Sequence, residues 1–141
     1  MARQRELAEY LANVPLFSPC SKKDLALVAK KAVCVLVDAR KLIVREGAAG
    51  SEFFVIIDGQ CEVSRHGQPV ATLGPGAFFG DLALLDRAPR NATITALTDM
   101  ELLVLGQRDF HALIDEVPGF AHKLLAGLAH RLRENDAKSV Q

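Results

Sequence analysis

The chain has little of what metal or redox chemistry needs. Its three cysteines, Cys20, Cys34 and Cys61, are odd in number and show no C-x-x-C spacing, which argues against a disulfide framework or a zinc site and for reduced, mostly buried thiols. His66, His111, His122 and His130 are scattered, with no H-x-H or H-E-x-x-H pairing, so no metal site is expected. Long apolar runs are missing too, and the N-terminal MARQRELAEYLANV lacks the uninterrupted apolar core of a signal peptide. No membrane span and a cytoplasmic location are therefore expected, and Asn91-Ala92-Thr93 reads as a coincidental glycosylation match. Excess charge of either sign is absent: 17 basic residues balance 17 acidic ones, which points away from a nucleic-acid surface. Lys123, Arg131, Arg133 and Lys138 favour the C-terminal half of a helix, as its dipole prefers, and imply no basic patch.

What is present suits one domain with one core, 141 residues long and 50% apolar. Residues 1–32 form a helical flank. Leu7, Tyr10, Leu11 and Val14 recur at helical spacing, and a second helix starts at Ser21, with Asp24 completing an imperfect capping box before Leu25, Val28, Ala29 and Ala32. From 33 to 106 the pattern turns to short β-rich runs: VCVLV, KLIV, FFVII, CEVS, PVATL, ATITAL and ELLVL. Asp58-Gly59 and His66-Gly67 punctuate them as turn signals. Seven of the ten glycines lie between Gly47 and Gly80, and short strands with glycine corners predict a jelly roll. Helical spacing returns over 107–141, with Phe110, Leu113 and Ile114 on one face. Val117-Pro118 breaks the run, and a helix over Phe120 to Arg133 carries the stripe Leu124, Leu125, Leu128 and Leu132. That stripe fits packing on the β-structure, pairing with a second subunit, or closing over a ligand.

The segment FFGDLALLDRAPRNATITA, Phe78 to Ala96, concentrates the chemistry. Gly80 has no side chain to hold a ligand off the backbone, and the Leu82-Ala83-Leu84-Leu85 run is long enough for a helical turn whose first N–H groups attract an anion. Arg90 offers a permanently charged fork to phosphate oxygens. Asp81, acceptor-only when ionised, fits a sugar hydroxyl instead. Taken singly, Asp81 reads as a helix N-cap and Arg90 as a solvated surface group. Together they suit a ribose cyclic phosphate.

The segment closely resembles the phosphate-binding cassette of cyclic-nucleotide-binding domains, in which FGE-(L/I/M)-A-L-L is followed by an arginine, a small residue, Ala and Thr. VPLF (14–17), REG (45–47), FFVIIDGQCEV (53–63) and LGPGAFFG (73–80) resemble the family's other landmarks, so the likeness spans nearly all of 14–134. It implies an α+β, mainly β chain: a jelly-roll β-barrel with N-terminal helices, a cassette over 78–93 and a C-terminal helical lid. It also implies that Arg90 binds the exocyclic phosphate oxygens, Asp81 the ribose 2′-hydroxyl, and the backbone at Leu82 and Ala83 the remaining phosphate oxygens. Asn91 adds a polar contact beside Arg90, Val63 and Leu73 form an apolar wall for the base, and Arg131 and Asn135 lie one turn apart on the lid. The chain departs from the pattern at Asp81, where Glu is usual, and at Asn91, where Ala accompanies cAMP and Thr often accompanies cGMP. Base preference is thus open at Asn91, and cAMP is favoured on family frequency.

Ring hydrolysis is rejected, because neither clustered metal ligands nor a base poised beside a nucleophile is present. The expected function is a cyclic-nucleotide sensor that turns binding into helix movement, with cAMP or cGMP as ligand, no cofactor, an unidentified effector and a homodimer through the C-terminal helix as a further partner. One alternative is the sensor half of a catabolite-activator-like transcription factor; its DNA-binding part would have to follow Gln141. A cupin-like metal enzyme is the other, and it needs histidine ligands that the sequence does not supply.

Overall fold

The structure is a computed structural model that describes residues 2–80 and 89–140. Two units divide the chain: a helical one from residues 1–30 and 111–141, and a β one from 31–110.

Among the described residues the β unit has eight strands: β1 (Val33–Val37), β2 (Leu42–Val44), β3 (Glu52–Asp58), β4 (Cys61–Arg65), β5 (Gln68–Leu73), β6 (Phe78–Phe79), β7 (Thr93–Ala96) and β8 (Met100–Gly106). They form two four-stranded antiparallel sheets, ordered β1-β8-β3-β6 and β2-β7-β4-β5. That is the strand order of a jelly roll. Side chains alternate across each strand, so Phe54 and Ile56 of β3 reach the core with Phe79, Met100 and Leu102, against Cys61, Ile94 and Ala96 of the second sheet. Phe53 and Val55 take the opposite face of β3, where Phe53 packs on Phe110 with ring centroids 4.7 Å apart.

Two turns have the geometry their residues favour. His66 and Gly67 join β4 to β5 with φ of 52° and 78°, the double positive φ of a two-residue type I′ hairpin. Pro75 and Gly76 occupy the middle of a four-residue turn closed by an Ala77 N–H···O Gly74 bond of 3.1 Å, and Gly76 has the positive φ, 87°, of a type II turn. This turn is strapped to β3 by Gly76 N–H to Ile56 O at 2.8 Å and Ile56 N–H to Ala77 O at 2.9 Å. The strapping sets Phe78 and Phe79 beside Val55 and Phe54 as β6. Two residues are too few to alternate, so only this tertiary pairing marks β6 as a strand.

Among the described residues the helices are α1 (Ala2–Ala12), α2 (Lys22–Lys31), α3 (Gln107–Glu116) and α4 (Pro118–Val140), with a 3₁₀ turn at Pro15–Phe17. Ser21 and Asp24 form a reciprocal capping box: the Asp24 N–H donates to Ser21 Oγ and the Ser21 N–H to Asp24 Oδ2, both at 3.1 Å. In the helical unit Leu11 and Phe17 are fully buried, and Phe17 meets Phe120 at 5.6 Å between centroids. α4 is longer at both ends than its apolar stripe predicted. Pro118 takes the first turn, where its missing N–H costs nothing, and no Gly or Pro interrupts the polar stretch beyond Arg133. Among the described residues no helix is long and apolar enough to cross a membrane.

Burial also acts on two thiols. Desolvation pushes Cys61 from 9.0 up to about 11, a hydrogen bond from the Leu73 backbone offsetting part of the rise. Cys20 also rises to about 11, through desolvation and then the nearby Asp24 carboxylate. A folded-state pKa above the unfolded one contributes stability that is complete below pH 9.0 and is lost as pH climbs through about 11. Urea unfolding at about pH 8 and about pH 10.5 should therefore show a fall in stability, and a Cys20→Ala, Cys61→Ala double variant should show a smaller one. Equal falls in both proteins would remove the thiols from this account.

Candidate functional site

Arg90 is the centre of the described site. Burial alternates along the approach to β7: Arg90, Ala92, Ile94 and Ala96 are buried, whereas Pro89 and Asn91 are exposed. The Arg90 side chain is thus turned inward, and only 7% of the residue stays exposed. Its backbone is held by the loop after β2: the Gly47 N–H donates to Arg90 O at 2.7 Å, and the Arg90 N–H to Ala48 O at 2.8 Å. Gly47 has φ +85°, so the glycine of the REG landmark serves this strap. A second tie lies alongside. The Glu46 N–H reaches Thr93 Oγ1 at 3.0 Å, and the Glu46 carboxylate accepts the His66 N–H at 2.9 Å, joining the β4–β5 turn to the same loop.

Three contacts among the described residues hold the guanidinium. Nη1 donates to Gly80 O at 2.9 Å, Nη2 donates to Glu52 O at 3.0 Å, and Cζ lies 5.8 Å from the centroid of the Phe54 ring. Phe54 is itself stacked on Phe79, its β6 register partner, at 4.7 Å. Hydrogen bonds made by a charged donor are each worth about 1.5–3 kcal/mol, and a desolvated cation–π contact up to about 2. Such contacts offset much of the cost of burying a cation. Gly80 has φ +90°, and a Cβ there would come 2.7 Å from Glu52 O and 2.8 Å from Arg90 Nη1. Its lack of a side chain therefore makes room for Arg90 as well as for the turn.

Of the other residues singled out in the sequence, Asp81, Leu82 and Ala83 lie outside the described residues. Asn91 is exposed, and its carbonyl accepts a hydrogen bond from Arg65 Nε at 3.1 Å. Val63 and Leu73 share one face of the second sheet: Leu73 stands opposite Cys61 and Val63 opposite Ile94, and both pack at the margin of the core. Arg131 and Asn135 both fall within α4, and their side chains lie outside those described. Sequence reasoning missed Glu52, Phe54 and Gly50. Glu52 acts through its carbonyl and Phe54 through a ring that reads as ordinary core. Gly50 stood only as one more glycine, yet its Cα faces the Arg90 guanidinium.

The family model for the cyclic nucleotide-binding domain matches residues 34–117, and the chain belongs to that family. It is similar to the cyclic AMP receptor protein of Thermus thermophilus, 35% identical over 127 residues that cover 86% of this chain and 59% of that protein. It is also similar to the cAMP-dependent protein kinase regulatory subunit of Yarrowia lipolytica, 32% identical over 129 residues, 90% of this chain and 32% of the relative. Among solved structures, the regulatory domain of Toxoplasma gondii PKA with cAMP superposes with a TM-score of 0.71 at 32% identity, covering 79% of this chain and 44% of that one. The chain thus spans between about a third and three fifths of the length of these protein relatives.

Proposed function

We propose that this domain binds a 3′,5′-cyclic nucleotide, cAMP first, through the phosphate, and passes binding on as movement of its flanking helices to an effector. The observation that carries the reading is the buried, oriented guanidinium of Arg90. Glu52 O and Gly80 O are neutral dipoles, so they aim the cation without cancelling its charge, and a low-dielectric surround strengthens its pull on a phosphate. Asp81 would take the ribose 2′-hydroxyl, Leu82 and Ala83 the other phosphate oxygens through their backbone, and Asn91 a polar contact. Val63 and Leu73, already side by side on an inner sheet face, would wall the base. The role is binding rather than catalysis, and three free cysteines suit a reducing, cytoplasmic setting.

Isothermal titration with cAMP and cGMP tests the reading and its base preference together. Arg90→Ala should weaken cAMP binding by roughly tenfold to a hundredfold, since it removes charge-assisted hydrogen bonds. Unchanged affinity in a folded variant would sink the assignment. Asp81→Ala should cost about as much as removing the ligand's 2′-hydroxyl, and the two losses should not add. Full additivity would withdraw the ribose role and leave Asp81 as a cap or loop-fixing group.

The lid and the homodimer both concern α4. Leu125 and Leu132, seven residues apart and so on one helix face, are 64% and 63% exposed, which supports an apolar seam for a second copy. Hydrogen exchange across 118–140 separates the two ideas. Protection that rises with cAMP supports the lid given to Arg131 and Asn135, protection that rises with protein concentration supports pairing, and a response to neither dismisses both.

A further inference from the structure

We propose that Gly50 is a positioning residue for Arg90, present because the guanidinium occupies the space that a side chain would fill; the functional part of this inference rests on the phosphate role of Arg90. Glycine at a loop position usually signals a backbone that other residues avoid. Gly47, Gly59, Gly67, Gly76 and Gly80 fit that explanation, with φ between 78° and 90°. Gly50 does not, because its φ lies outside the left-handed region. Conformation alone would admit alanine there, at a gain in unfolded-state entropy.

Space is what opposes it. A Cβ built on Gly50 would overlap Arg90 Nε, Cζ and Nη2, so the charged end of that long side chain has to shift to admit it. Gly74 and Gly106 are open by comparison, the nearest neighbour of a Cβ lying at 4.0 Å for the first and nothing meeting it for the second; Gly59 and Gly119 are crowded too, but by Asp99 and Met100 and by Pro19, not by a charged side chain. Gly80 bounds the same group from the Nη1 side at 2.8 Å. The guanidinium therefore sits in a slot between two glycines, with Glu52 O, Gly80 O and the Phe54 ring fixing its orientation. Arg90 can evade a methyl group at position 50 only by leaving those contacts, which moves its fork away from the phosphate position. The substitution Gly50→Ala thus changes no charge and no buried apolar residue, yet acts on ligand through Arg90.

The test compares Gly50→Ala, Arg90→Ala and the double variant by cAMP titration, with the Arg90 Nε–Hε resonance of the ligand-free proteins followed by NMR. Expected is a loss of about tenfold or more for Gly50→Ala, no further loss when it is added to Arg90→Ala, and a displaced Arg90 resonance. If Gly50→Ala binds like the parent while Arg90→Ala is weakened, the positioning role is overturned and the phosphate reading stands. Multiplying losses overturn it as well, since Gly50 would then act on the loop and not through Arg90. If Arg90→Ala binds like the parent, the phosphate reading fails, and an unmoved resonance in Gly50→Ala then overturns the slot too. Should Gly50→Ala fail to fold, recovery of folding in the double variant supports the clash and continued failure refutes it.

Discussion

A single buried guanidinium, aimed by two backbone carbonyls, ties together several segments of the described part of this domain. Arg90 reaches its place because four separate pieces of chain agree on it. The segment leading into β7 carries it inward, and the loop at 47–48 clamps its backbone. The start of β3 supplies the Glu52 carbonyl, and the residue after β6 supplies the Gly80 carbonyl. None of the four is close to all the others in sequence. Each is held by the jelly roll, so the orientation of one side chain depends on the register of β3, β6 and β7.

That dependence explains features which look incidental when taken alone. The Pro75-Gly76 turn matters because its bonds to Ile56 place β6 beside β3, and hence Gly80 beside Glu52. Phe54 and Phe79 stack as core residues, and the stack also gives the guanidinium a face to rest on. Arg90 itself precedes β7, but the Glu52 carbonyl lies on β3 and the Gly80 carbonyl directly follows β6, so sheet pairing fixes the groups that aim the guanidinium. In the proposed sensor role, a firmly held Arg90 has a use. A ligand moves helices only to the extent that it binds two arrangements unequally, and a fixed anchor lets that difference be expressed elsewhere in the chain.

Much of the architecture was legible because local chemistry and tertiary need coincide. VCVLV became β1 residue for residue, the β-rich runs became strands, and His66-Gly67 became the hairpin turn its residues favour. Ser21 and Asp24 were readable as a cap because a capping box spans only three residues. The ends of α4 were not, since its apolar stripe stops before the helix does. The strand β6 escaped notice because pairing, and no pattern within Phe78-Phe79, defines it.

The site divides along the same line. By itself the sequence determined the family and most of the strands and helices, and it pointed to Arg90 and Gly80, because a permanently charged fork and a glycine before an apolar run carry their chemistry in their side chains or the lack of one. Only the tertiary structure decided how Arg90 is held. Its partners among the described residues include the carbonyls of Glu52 and Gly80, the ring of Phe54 and the vacant Cβ position of Gly50. Every residue but proline offers the same backbone donor and acceptor, and an empty position has no chemistry to read until the neighbour that fills it has been brought there by the fold.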